Sequence, residues 1–192
     1  MTELWERALA ALQQRLGAEG MRHSLGVAGT AARLAEVYGV DVESARLAGL
    51  LHDWSKDASA SELFAAADAH GIAVTDVDRA VPYLLHAPVA AAELRTAMPD
   101  LDDAVLAAVA AHTYGAESMS SLDLIVYVAD TIEPGRVHAG VETLRDAVGT
   151  VSLDELFMLA YASSLRHLVD SRRRIHPATV TLWNRLVSEG SR

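Results

Sequence analysis

The chain has 192 residues, 51% of them hydrophobic, and 16 basic against 26 acidic side chains give a net charge of −10. That length supports one substantial core, and the absence of cysteine removes disulfides, cysteine-held zinc and a cysteine nucleophile. An acidic surface repels nucleic-acid backbones, so no nucleic acid polymer is expected as a partner, while frequent alanine and few β-branched clusters favour helices over sheets.

The amino terminus, Met-Thr-Glu-Leu-Trp-Glu, lacks the basic start and apolar stretch of a signal peptide. Trp5, Leu9, Leu12 and Leu16 recur at helical spacing and predict a helix from about Glu3 to Leu16, ended by Gly17 and Gly20. A second helix is predicted from about Arg22 to Tyr38, with Val27, Ala31, Leu34 and Tyr38 on one face; His23 lies four residues before Val27 and shares that face. Gly39 breaks it, and Asp41 caps a helix over Val42 to His52. Ser59 and Glu62 form a capping-box pattern that opens a helix reaching His70, closed by Gly71.

Residues Asp76 to Leu85, interrupted by Pro82, fit neither period. A helix then starts near His86, with Pro88 in its first turn, and stops before Pro99. Asp100 is expected to cap Leu101 to His112, and Ser120 or Ser121 the helix that carries Leu122, Ile125, Val126, Ala129 and Asp130 until Pro134 and Gly135 end it. Two further patterns run over about Leu153 to Ser171 and Ala178 to Val187. No strand alternation persists, and the longest apolar run, Ala104 to Ala111, is too short to span a bilayer. The expectation is a single all-α domain (residues 1–192) of roughly nine helices, cytoplasmic and not bound to a membrane. The abundant apolar side chains are compatible with a homodimer. Arg172 to Arg174 read as a helix end favoured by positive charge.

Polar residues interrupt this pattern in one consistent way. His23, His52, Asp53, His86, His112 and Asp130 each end or break an apolar face. Taken singly, each has a structural explanation; Asp130, for instance, is placed to pair with Arg33. Taken together they would cost several kcal/mol each, on the order of the penalty for unpaired buried polar groups, unless one partner satisfies all of them. A divalent metal does so, because imidazole and carboxylate suit iron, manganese, cobalt, nickel or zinc, with magnesium also open. His70, His138, His167 and His176 lack that context and are left out of the predicted site.

These residues resemble the HD-domain metal-dependent phosphohydrolases. The strings Arg-His-Ser-Leu-Gly-Val-Ala, Ala-Gly-Leu-Leu-His-Asp-Trp-Ser-Lys, Leu-Leu-His-Ala-Pro-Val, Ala-His-Thr-Tyr-Gly and Tyr-Val-Ala-Asp-Thr-Ile-Glu-Pro-Gly-Arg are similar to the YqeK branch, the symmetrical bis(5'-nucleosyl)-tetraphosphatases. The resemblance covers about His23 to Arg136 and implies an HD core over about 18–136, with helices 137–192 packed on it. It implies a bacterial enzyme that cleaves diadenosine tetraphosphate to two ADP, with small nucleotides such as ADP or GDP as product. It also implies iron, or another divalent metal, on His23, His52, Asp53 and Asp130, with His86 and His112 holding a second metal or contacting phosphate. Trp54 departs from the pattern, where a smaller aliphatic residue is usual, and its bulk is expected to alter the wall beside the site.

Chemistry adds further candidates. Asp53 is placed to act as general base through a metal-bound water, and Lys56, three residues on, to meet phosphate as a point charge. Arg136 suits bidentate phosphate recognition; Arg22, Thr113 and Tyr114 are candidates for the nucleotide pocket, with Tyr114 stacking on a base. Three alternatives stay open: an HD hydrolase of another nucleotide (deoxynucleotide, alarmone or cyclic dinucleotide), a non-catalytic nucleotide or metal sensor, and a metal-free helical scaffold.

Overall fold

Capping residues set most of the helix boundaries. In the computed structural model, which describes residues 3–189, Asp41 accepts from the Ser44 amide, and Ser59, Thr75 and Ser120 each form a capping box with the acidic residue three positions on. Each such cap is worth about 1 kcal/mol. The first two residues of the amino-terminal stretch read above lie outside the described residues. Eleven α-helices result: α1 (Glu3–Leu12), α2 (Ala18–Tyr38), α3 (Val42–Leu51), α4 (Ala60–Ala69), α5 (Asp76–Ala80), α6 (His86–Ala97), α7 (Asp103–Ala111), α8 (Ser121–Ile132), α9 (Val141–Ala147), α10 (Leu153–Asp170) and α11 (Pro177–Glu189). A 3-10 turn, Pro82–Leu85, joins α5 to α6.

The described residues contain no strand, as expected, and exceed nine helices by α5 and α9. Both extra helices are shorter than two and a half turns, too short for a 3.6-residue period to show. Two boundaries also shift. Gly17 is the extended N-cap of α2, not the end of α1, so Gly20 falls inside the first turn of α2. Asp102, not Asp100, caps α7, and Asp100 instead pairs with Arg7 at 2.7 Å. No helix among the described residues is long and apolar enough to cross a membrane.

α8 is the central helix, with nine of its twelve residues buried. It packs against α2, α3, α7, α9 and α10. Tyr127 of α8 meets Phe157 and Tyr161 of α10 with ring centroids 5.2 and 5.3 Å apart, a packing of aromatic edges and faces that ties the C-terminal helices to the core. α2 and α3 approach most closely at Gly49, where a Cβ would stand 3.0 Å from the Ala28 Cα and 3.1 Å from the Val27 carbonyl oxygen. Only glycine lets the two backbones meet at that distance. The contact brings the start of α2 beside the end of α3, and with them His23 beside His52.

Candidate metal centre

Five helices deliver the six predicted ligands to one place. His23 projects from the second turn of α2; His52 is the C-cap of α3, with Asp53 and Lys56 in the turn beyond it; His86 opens α6; His112 is the C-cap of α7; Asp130 lies in α8. His52, Asp53, His86 and His112 are 0–4% exposed, whereas the His23 and Asp130 side chains are 12% and 24% exposed.

Asp53 lies between two groups of histidines. Its Oδ2 faces His52 Nε2 at 3.1 Å and His23 Nε2 at 3.4 Å, and its Oδ1 faces His86 Nε2 at 3.3 Å and His112 Nε2 at 3.9 Å. Asp130 Oδ1 completes the first group, 3.0 Å from His23 Nε2. Two sets, His23–His52–Asp130 and His52–Asp53–His112, have their ligand atoms within 4.8 Å of one another.

The tautomers follow from the outer hydrogen bonds. The Nδ1–H groups of His52, His86 and His112 donate to the carbonyls of Gly49, Tyr83 and Val109 at 2.8, 2.7 and 2.7 Å. A carbonyl only accepts, so each Nδ1 carries a proton and each Nε2 is the nitrogen left to face inward. His86 and His112 then face each other Nε2 to Nε2 at 3.0 Å, as do His23 and His52 at 3.2 Å. Inward Nε2 atoms packed this closely on one another and on two carboxylates call for a shared cation, and a divalent metal fits this donor set.

The electrostatics agree. Burial opposes ionisation of Asp53, but His52, His86 and His112 overcome it and hold its carboxyl well below the ordinary range. Burial likewise opposes ionisation of Asp130, outweighed by the His23 hydrogen bond and by His52 and Arg136. Burial, with the charges of His52 and His86, pushes the His112 imidazole down to about 3, leaving it a neutral donor. For His52 burial disfavours charge, yet Asp53 and Asp130 raise its pKa, so that cations are drawn to this point.

The other predicted residues divide. Lys56 pairs with Asp53, and Arg136 pairs with Asp130 and also donates to the Asp130 carbonyl at 2.8 Å. Thr113 Oγ1 lies 3.3 Å from His112 Nε2. Tyr114 stacks on His176 at 4.2 Å, so a neighbouring side chain already covers one of its faces. All four line a cleft of about 1100 Å³ that opens onto the candidate ligands Asp53, His86, His112 and Asp130. Arg22 is exposed and does not line it; Arg33 is also exposed, and Arg136 takes the place beside Asp130. Trp54 turns away from the site into the core, 3% exposed, with the Arg15 guanidinium 4.2 Å over its ring; the cleft wall does not contain it.

Several cleft residues carry no spacing signal that links them to the site, including three histidines left out of it by sequence pattern. Tyr83 packs on His86 with centroids 4.5 Å apart, and burial raises its pKa, keeping the phenol a proton donor beside Lys56. His138, His167, Arg173 and Arg174 come from the loop after α8 and from the end of α10, too far along the chain for any spacing rule to link them to His52. His176 also lines the cleft and lies 3.4 Å from the buried Asp78. Glu133, buried and 3.1 Å from His23 Nδ1, stood within the Ile-Glu-Pro-Gly-Arg string without a role.

Comparison with known proteins places this arrangement. Residues 20–135 match the model of the HD domain family. The chain is 32% identical over 183 residues to the symmetrical bis(5'-nucleosyl)-tetraphosphatases of Halalkalibacterium halodurans and of Bacillus subtilis, alignments that span 95% of this chain and 97% of each relative. It also superposes with a TM-score of 0.89 and 34% identity on the crystal structure of a predicted HD superfamily hydrolase involved in NAD metabolism from Clostridium acetobutylicum, covering 96% of this chain and 97% of that one. The chain belongs to the HD-domain hydrolases, in the family of the symmetrical bis(5'-nucleosyl)-tetraphosphatases.

Proposed function

We propose that this protein is a metal-dependent hydrolase that cleaves dinucleoside tetraphosphates symmetrically, converting diadenosine tetraphosphate and water to two ADP. The observation that carries the reading is the Asp53 carboxylate, one oxygen facing His23 and His52 and the other His86 and His112, at the floor of a cleft lined by cations. The names of the full-length relatives support the substrate class.

His23, His52, Asp53 and Asp130 would hold one ion, and His86, His112 and the second oxygen of Asp53 another, a dinuclear centre for which we favour iron. Such ions polarise phosphoryl oxygens and lower the pKa of bound water to near neutral. The chain supplies the rest. Asp53, the carboxylate between the two groups of histidines, is the group we assign to accept the proton of the attacking water. Lys56 and Arg136, which remain cationic as their carboxylate partners overcome burial, neutralise the phosphates flanking the scissile bond. The Tyr83 phenol can donate to a phosphate oxygen. Along the cleft, Arg166, Arg173 and Arg174 are cations that make no ion pair among the described residues. On a chain of net charge −10, a cleft walled by cations suits a compact polyanion. This reassigns Arg173 and Arg174 from a plain helix end to the substrate channel.

The central packing of α8 against both the ligand helices and α10 supports a single domain, with an HD core and C-terminal helices closing the cleft. We infer a cytoplasmic setting from the cysteine-free, acidic composition. Product analysis tests the function: with iron, manganese, cobalt or magnesium supplied, diadenosine tetraphosphate should yield ADP alone. AMP with ATP would overturn the symmetric reaction, and hydrolysis of a deoxynucleotide or cyclic dinucleotide in its place would overturn the substrate class. No turnover of any nucleotide by metal-loaded protein would favour a sensor.

A further inference from the structure

His23 is oriented differently from the other three inward-facing histidines. His52 and His112 sit at the ends of α3 and α7, where the last carbonyls lack partners within the helix and can take an imidazole N–H. His86 follows the 3-10 turn and uses the Tyr83 carbonyl. His23 lies inside the 21-residue α2, where the helix ladder occupies the nearby carbonyls. Its Nδ1–H has to find another acceptor, and Glu133 Oε1 at 3.1 Å provides it.

We propose that Glu133 is a positioning residue that fixes the tautomer and ring direction of His23, and that Gly26 and Gly135 are glycines because their missing side chains make room for its carboxylate. The proposal rests on the metal-centre reading above. Glu133 is 5% exposed, immediately after the last turn of α8. Its Oε2 accepts the Gly135 N–H at 2.6 Å, so each carboxylate oxygen is engaged by a donor. A Cβ on Gly26, one turn beyond His23 on α2, would stand 2.7 Å from Oε2, and a Cβ on Gly135 2.8 Å from Oε1. Glycine in a helix interior is costlier than alanine; at position 26 the reason is the carboxylate opposite. A carboxylate accepts from both donors, whereas an amide accepts from one and turns an N–H against the other. With Nδ1 engaged by Glu133, His23 directs Nε2, the nitrogen left for ligation, toward Asp130 and His52.

The test is ring-nitrogen NMR of histidine-labelled, metal-free protein, with His23 assigned by its loss in His23→Gln, together with zinc titration. Wild-type His23 should show Nδ1 protonated with and without zinc, and the Nε2 signal, which faces Asp130, should move when zinc binds. In Glu133→Ala, Glu133→Gln and Gly26→Ala its signals should move toward mixed tautomers, while His52, His86 and His112 keep theirs. Zinc affinity should fall about 10–100-fold in each. Gly26→Ala keeps every donor and acceptor and displaces only the flexible end of Glu133, so it separates positioning from misfolding. Gly26→Ala combined with Glu133→Ala should be no worse than Glu133→Ala alone. Additive losses, or unchanged His23 signals and zinc affinity in Glu133→Ala and Gly26→Ala, would overturn the proposal; a wild-type-like Glu133→Gln would overturn its two-acceptor argument. Wild-type His23 signals that ignore zinc would overturn the metal reading instead, and the tautomer data would still decide the role of Glu133.

Discussion

The two halves of the candidate metal centre are built on different principles. On the closed side, His52, His86 and His112 surround Asp53, almost wholly buried, and each takes its direction from a backbone carbonyl. On the open side, His23 and Asp130 are partly exposed and take their directions from the side chains of Glu133 and Arg136. A backbone-set ligand is fixed by the fold itself, so it moves only if a helix end moves. A side-chain-set ligand can be altered without disturbing the core. The closed half therefore couples metal binding to stability, and the open half couples it to the cleft.

The sharpest way to break the contrast is to remove one ligand from each half. Asp53→Ala and His52→Ala should abolish hydrolysis, at least about 10³-fold or ~4 kcal/mol in the barrier, and so should His23→Ala. Chemical denaturation of the metal-free variants should tell them apart. Loss of Asp53 strips the buried imidazoles of the carboxylate that faces all three of them and should cost about 3–5 kcal/mol. Loss of His23, which water can replace, should cost about 1 kcal/mol. Equal costs would erase the distinction.

Chelation acts on both halves at once. At about 100 times its Kd, a metal that binds only the folded chain stabilises it by about 2.7 kcal/mol, so its removal should lower Tm by roughly 5–10 °C. In Asp53→Ala that difference should vanish.

Gly49→Ala probes the joint between the halves. The added methyl would meet Ala28 and Val27 backbone, which cannot yield as a side chain can. A destabilisation of about 1–3 kcal/mol is expected, with weaker metal binding because α2 and α3 separate. A neutral substitution, measured by thermal unfolding, would show that their close approach is not required.

The smallest effect should come from the far end of the cleft. Arg173→Ala with Arg174→Ala should raise KM for the tetraphosphate by about threefold at low salt and leave kcat and Tm unchanged, with the difference fading at about 0.5 M salt as screening removes it. A kcat effect would place these arginines closer to the reacting phosphates than the exposed turn suggests.

Much of this was legible in the chain order. The helices α1, α2, α3, α4, α6, α7, α8, α10 and α11 follow from periodicity and caps, because both are local. His23, His52, Asp53, His86, His112 and Asp130 were recognisable because each interrupts an apolar face, a mark that burial leaves on any single helix. Glu133 carried the same mark at the end of α8, yet its partner was 110 residues away. Its role needed distance information that spacing does not hold.

The sequence by itself therefore determined the helical class, the family and which His and Asp residues stand as candidate ligands, since these depend on local pattern and on residue chemistry. The tertiary structure alone decided that Trp54 faces the core, that Arg22 stays outside the cleft, and that Arg173, Arg174, His138 and His167 line it. It also decided that Asp53 stands between two pairs of histidines. Such relations depend on how helices cross, and crossing is fixed by close contacts such as Gly49 against Ala28, which no one-dimensional period records.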